Sequence, residues 1–501
     1  MPIHPTDEDS RLSLWLRVRE YAVPPSMIET ATARRSVGDW AGACAAAGFD
    51  TDLHLPSVAR THGRTFATRL RADLRHLAPD LLRWHMPRTA PDGLLRPGLT
   101  VALARYDGSG RDDGSARDDG RGRDGGSGRD AGEPVYLVAR TPPAWADAGQ
   151  RIVLTLWDGT RSDTGTRNHP HPRPSRRFRL DLHRHLWDAR SADELRHRSG
   201  AGGPPADRPA AYGPAADGPP VGVPGLPHGP LHRCAVDRWA AEARLLLAAD
   251  GLPPGPVEVR LGGRHRLILD PDTAPGAGPG GSAGDDGTCP ATGRGARPPS
   301  PGGRLVPVLP DAATWVPPDL ELLRAGVIEA DRLHPLVARS LVPGHVPAVP
   351  GARPHPADEP RFVDCRGSRH RIGLVDGTLV PLDHDPGELR REELLVALSG
   401  TPLPCLRVID QAHRSPASLS GIRERLAHGD TAGALAVVEG LLGPGAVLRD
   451  GALRDELEAA AEQRITYGLF RAGLIGPGPG DQVHTHRPYA PRRRTRRYGG
   501  H

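Results

Sequence analysis

Residues 262–270 read GGRHRLILD, and residues 367–376 read GSRHRIGLVD. Each follows an apolar run, VEVRL (257–261) in the first case and FVDCR (362–366) in the second. A two-residue, glycine-bearing link between alternating apolar runs signals a β-hairpin. The later copy turns again at Asp376-Gly377 and continues TLVPLDHD (378–385), which predicts a three-stranded meander. The earlier copy has its counterpart in RLVPVLPD (304–311), with residues 271–303 standing where the later copy has only the Asp-Gly turn. Helical patterns follow both, DLELLRAG (319–326) and IEADRLHPLVARSL (328–341) in one, ELRREELLVAL (388–398) and PLPCLRVIDQAH (402–413) in the other. Each unit is expected to open with a helix carrying Asp-Arg and a later Ala-Arg, at Asp237-Arg238 with Ala243-Arg244 and at Asp331-Arg332 with Ala338-Arg339. The chain therefore reads as α+β, with a tandem duplicated unit between helical N- and C-terminal regions.

Composition sets the bounds on everything else. The 501 residues include 62 glycines and 55 prolines, well above ordinary usage of about 7% and about 5%. There is no lysine, so all 65 basic residues are arginine, a bias expected of a very GC-rich, bacterial genome. Sixty acidic residues nearly cancel them, leaving a formal charge of +5 that points to no particular partner. Without lysine, a P-loop, a kinase or a Schiff-base mechanism is excluded. H-E-x-x-H, G-x-S-x-G and a dinucleotide fingerprint in a strand-to-helix context are absent too. Cys44, Cys234, Cys289, Cys365 and Cys405 are far apart and form no C-x-x-C pair, so neither a disulfide framework nor a four-cysteine zinc site is expected. The acidic start MPIHPTDEDSRLSLWL lacks a secretory pattern, and no run of apolar residues is long enough for a membrane span. A cytoplasmic protein is expected.

Along the chain, residues 1–98 read as a helical region, with apolar positions recurring every three or four residues. Residues 99–190 read as β-rich, with strands at LTVALARY (99–106), PVYLVART (134–141), RIVLTLWD (151–158) and RRFRLDLH (176–183). The Asp/Arg/Gly stretch 107–133 is an expected disordered insertion between two paired strands. A Pro/Ala/Gly-rich linker (199–230) leads to the first duplicated unit (231–345, with a disordered insertion at 271–303) and the second (346–400). A helical region (401–475) and a disordered basic tail (476–501) complete the chain. A second echo, G-D-x-A-G-A-x-A, joins RRSVGDWAGACAAA (34–47) to ERLAHGDTAGALAVV (424–438). Asp39 and Asp430 are expected to cap helices that begin beside a turn glycine.

Three sets of residues are candidates for chemistry. Alternation puts His265 and His370 on the apolar face of their strands, where they are expected as core side chains, and the arginines on the other face. Arg264 and Arg266, with Arg369 and Arg371, are thus candidate anion-binding pairs, because guanidinium forks suit phosphate or carboxylate. His183 and His185, as H-x-H on a strand, are candidate metal ligands. Arg492, Arg493, Arg494, Arg496 and Arg497 make the tail a candidate for nucleic-acid phosphate. Asp383, His384 and Asp385 admit an acid/base pair, though Asp385 as a helix cap is simpler, and Cys405 and His413 are offset too far around a helix for a dyad. No cofactor is implied. The leading expectation is a non-catalytic scaffold or adaptor contacting a protein partner, with two alternatives: an enzyme acting on an anionic substrate, and a nucleic-acid-associated protein using the tail.

Overall fold

The computed structural model describes residues 6–107, 134–147, 149–159, 169–201, 233–262, 265–272, 306–345, 361–365, 367–400 and 402–476. The expected insertions, the linker and the basic tail with its arginines lie almost wholly outside the described residues, as do Arg264 and Cys289.

The N-terminal helices are α1 (Thr6–Arg17), which runs into a π turn at Val18–Ala22, α2 (Pro25–Ser36), α3 (Trp40–Ala46), α4 (Leu55–His62), α5 (Arg64–His76) and α6 (Pro79–His85). Proline in the first turn of α2, α4 and α6 costs no helix hydrogen bond, because those N–H groups have no partner within the helix. Four strands form one sheet in the order β1-β4-β3-β2: β1 (Phe49–Thr51), β2 (Thr100–Tyr106), β3 (Val135–Arg140) and β4 (Ile152–Trp157). β2 and β3 are antiparallel neighbours, as expected of strands joined through the 107–133 insertion, whereas the short β1 pairs parallel with β4. Helices and sheet share one core, in which Leu70, Leu74, Leu82 and Trp84 meet Val101, Leu103, Leu137 and Ile152.

The stretch 176–183 is not the expected strand. After a single bridge from Arg179 to Ala102, it coils into 3-10 turns at Leu180–Leu182 and Arg184–Leu186. Its alternating apolar residues are drawn to different cores: Leu180 joins the helix–sheet core, and Leu182 packs against the core of the first duplicated unit. Arg179 holds the bend through Asp181 and Asp250. The short α7 (Leu195–Arg198) follows.

In the first duplicated unit, α8 (Trp239–Ala249) covers the hairpin of β5 (Val257–Arg260) and β6 (Arg266–Leu269), burying Trp239, Leu246, Leu247, Val257, Val259 and Leu309 together. In the second, β7 (Arg361–Cys365), β8 (Ser368–Val375) and β9 (Thr378–Pro381) form the expected meander. Two details separate the copies. Arg260 pairs with Arg266 and the Leu261 N–H reaches the His265 carbonyl, so His265 sits in a wider turn and is exposed, where the sequence placed it in the core. Val308 bridges Glu258 in parallel, so the third segment lies beside β5 and not beside β6. A two-residue Asp-Gly turn obliges the next strand to pair antiparallel with the one it leaves, and the longer connection removes that obligation.

The rest is helical. α9 (Asp311–Thr314), α10 (Pro318–Arg324) and α11 (Pro335–Leu341) close the first unit, and Leu322, Leu336 and Val337 join the N-terminal core. α12 (Pro386–Ser399), α13 (Pro404–Arg414), α14 (Leu419–His428), α15 (Thr431–Leu442) and α16 (Ala452–Arg471) follow the meander, and α13 to α16 build a separate core with it. Among the described residues, no helix is long and apolar enough to cross a membrane.

Candidate metal centre

Four donors from four places in the second unit converge. Cys365 ends β7 and pairs across the tight turn with Ser368. His370 lies two residues further along β8, opposite Val363, and so shares the sheet face of Cys365 and of the buried Ile372. His384 follows β9, in the link to α12. Cys405 is the second residue of α13. One ligand atom from each of the four lies within 4.8 Å of all the others.

The surroundings fix these positions. Asp383 takes the Arg371 backbone N–H at 2.7 Å and the guanidinium at 2.6 Å, which locks the end of β9 against β8. Asp385 caps α12 through the N–H groups of Gly387 and Glu388, as its place in the sequence suggested. Between these two carboxylates His384 is turned inward. Its Nε2 stands 2.7 Å from His370 Nδ1, and its Nδ1 faces Glu388 Oε2 at 3.4 Å. A carboxylate behind an imidazole sets the ring and raises its basicity as a ligand. Both thiols are fully buried among Ile372, Leu379, Leu403 and Ile409. Burial, with Cys365 against it, pushes the Cys405 thiol well above its ordinary value.

The donor set suits one class of ion. With Zn–S near 2.3 Å and Zn–N about 2.0–2.1 Å, the ligand atoms of a tetrahedral zinc stand roughly 3.3–3.8 Å apart. Two sulfurs and two imidazole nitrogens within 4.8 Å need only a small adjustment to close on such an ion. Soft thiolates favour zinc over magnesium or calcium, and four protein donors leave no open position.

The sequence-derived candidates lie elsewhere. His183 and His185 are both buried; His183 sets Nδ1 3.0 Å from the Arg179 carbonyl and Nε2 3.3 Å from Glu242. Burial alone would raise the Glu242 carboxyl, but His183 and Arg198 together hold it at about 2. Arg371 is engaged by Asp383, Arg369 lies over the Phe362 ring at 4.7 Å, and Arg266 stands 3.4 Å from Glu258. The arginines therefore face carboxylates and a ring of their own sheets.

Sequence reasoning treated Cys365, His370, His384 and Cys405 separately and missed the cluster. A partial signal was present, since the turn expected at Gly367-Ser368 sets residues 365 and 370 opposite each other on one face. His384 and Cys405 arrive through a loop and a helix whose docking no local pattern encodes. No family model, curated protein or solved structure matches the chain.

Proposed function

We propose that the protein is a non-catalytic scaffold whose C-terminal unit is held together by a structural zinc ion and engages a protein partner. The observation that carries this reading is the closed donor set of Cys365, His370, His384 and Cys405, which leaves no ligand position for a substrate. The duplicated partner unit supports it. With RHR aligned on RHR and LVPLDHD on LVPVLPD, Arg260 stands for Cys365 and Pro310 for His384. In place of the donors, that unit buries Trp239, Leu247 and Leu309 against its hairpin. The apolar core of the second unit is joined by a metal clip that the first unit lacks, and a structural zinc contributes folding free energy directly. The partner-facing part rests on α12, the helix that follows His384, whose Leu394 and Leu398 are 66% and 86% exposed.

Metal analysis of full-length protein purified without chelator tests the first half. One zinc per chain is expected, and cobalt in its place should give the visible bands of a tetrahedral thiolate site. Absence of metal, together with a Cys365–Cys405 disulfide found by non-reducing mass spectrometry, would sink it. Zinc supplied a thousandfold above its dissociation constant adds about 4 kcal/mol to the folded state, so chelation should lower the melting temperature. For the second half, proteins co-purifying from the native cell with wild type are compared with those held by a Leu394→Glu, Leu398→Glu variant. A partner lost from the variant supports the scaffold, and an unchanged set rejects it.

A further inference from the structure

Far from the metal centre, a half-open cavity of about 450 Å³ lies between α1, the segment after α6, residues 177–186 and the turn into α10. Its size falls in the range of about 300–1,000 Å³ usual for small-molecule sites. Three aromatic rings line it, Trp15, Phe178 and Trp315. Among the described lining residues the only carboxylate is Asp311, already bound to Arg177 at 2.6 Å.

Most of the arginines in the wall are matched by carboxylates. Arg11 holds Glu321 at 3.0 Å, Arg179 holds Asp181 and Asp250, and Arg198 holds Glu242. Arg88 is different. Its Nη atoms donate to the carbonyls of Gly93 and Arg83, and its Nε is buried without a partner. Burial and the nearby Arg83 disfavour its charge. Arg96 is exposed at the mouth, 5.8 Å from the centre of the Phe178 ring. Three further lining groups hold buried nitrogens without a hydrogen-bond partner, Trp15 Nε1, His85 Nε2 and His185 Nδ1, and His185 is 4% exposed. Buried polar atoms are almost always satisfied, and a half-buried guanidinium facing carbonyls alone has no counter-charge. Unmatched nitrogens, a guanidinium without a carboxylate and aromatic faces gathered in one cavity suit a flat molecule carrying negative charge.

We infer that this cavity binds a small aromatic anion, a planar ring bearing a phosphate or carboxylate, with Arg88 and Arg96 taking the charge and Trp15, Phe178 and Trp315 the ring. The inference is independent of the metal centre and of the scaffold reading. The probe for the test is anilinonaphthalene sulfonate, itself a flat aromatic anion, titrated into the full-length protein. Saturable binding of one dye per chain is expected, weakening as salt rises. Adenosine monophosphate and benzoate serve as competitors: displacement by the first assigns a phosphate head group, by the second a carboxylate. Displacement by neither, or by neutral adenosine equally well, rejects the anionic ligand. Arg96→Gln should weaken dye binding by about tenfold without changing the melting temperature of the free protein, and Arg88→Met should weaken it at least as much. Unsaturable binding, or binding unchanged in both variants, overturns the assignment; should Arg88→Met fail to fold, the exposed Arg96 variant decides.

Discussion

Arg83 joins parts of the chain that are remote in sequence. Its buried guanidinium donates to the carbonyls of Ala22 (2.9 Å), Gln150 (2.7 Å) and His428 (2.8 Å), tying the N-terminal helices, the loop before β4 and the end of α14. Burial lowers its pKa to about 10, so it remains charged at neutral pH. Replacement by methionine strands three buried acceptors, and Arg83→Met should cost about 3–5 kcal/mol, measured by urea unfolding with two probes. At the metal centre, Cys405→Ser should abolish zinc binding. Cys44→Ser, at a buried thiol outside the cluster, should leave the metal content at one per chain. These residue-scale facts differ in how far the sequence foretold them. His370 is turned toward the interior face as alternation required, but alternation is silent about what it meets there. Nothing near Arg83 in the sequence reveals partners 61, 67 and 345 residues away.

The two G-D-x-A-G-A-x-A segments are one helix-turn-helix element built twice. In α2–α3, the Gly38 N–H meets the Arg35 carbonyl, the Asp39 N–H meets Arg34, and the Asp39 carboxylate caps Gly42 while accepting from the Arg34 guanidinium. In α14–α15, Gly429 meets Leu426, Asp430 meets Arg425, and the Asp430 carboxylate caps Gly433 and accepts from Arg425 at 2.5 Å. Both glycines are left-handed, at φ +80° and +84°. The elements differ only in what packs on the turn. A Cβ at Gly38 would meet nothing within 4 Å, whereas one at Gly429 would run into the backbone of Gly149. Gly38→Ala should therefore cost only the left-handed strain, about 1–2 kcal/mol, and Gly429→Ala clearly more, both read from denaturant midpoints. Equal effects would mean that the Gly429–Gly149 contact is not formed. Caps and turns were legible because Gly, Asp and the small residues act within a few positions of each other. The 3-10 path of 176–183 was not, because its alternation satisfies a strand equally well and only the two cores on either side choose.

For the whole molecule, acid is the informative stress. Burial pushes His85 and His169 down to about 4, and burial with the neighbouring arginines takes His428 to about 3. In the unfolded chain these rings take up protons near their ordinary pKa of about 6.5. Between there and pH 4 the unfolded state binds more protons than the folded one, so stability must fall as the pH is lowered through that window. Urea unfolding at a series of pH values should show this slope, and His428→Gln should flatten it; a variant with the wild-type slope would remove His428 from the account. The sequence by itself determined the α+β class, most helices, the pairing of β2 with β3, both aspartate caps and the second unit's meander, since each depends on periodicity or turn chemistry within a short window. Tertiary structure decided that Cys365, His370, His384 and Cys405 meet, which side of the first hairpin its third segment joins, and which arginines keep a carboxylate partner. Those outcomes depend on how separate elements dock, and docking is set by burial and charge matching between residues that no local pattern relates.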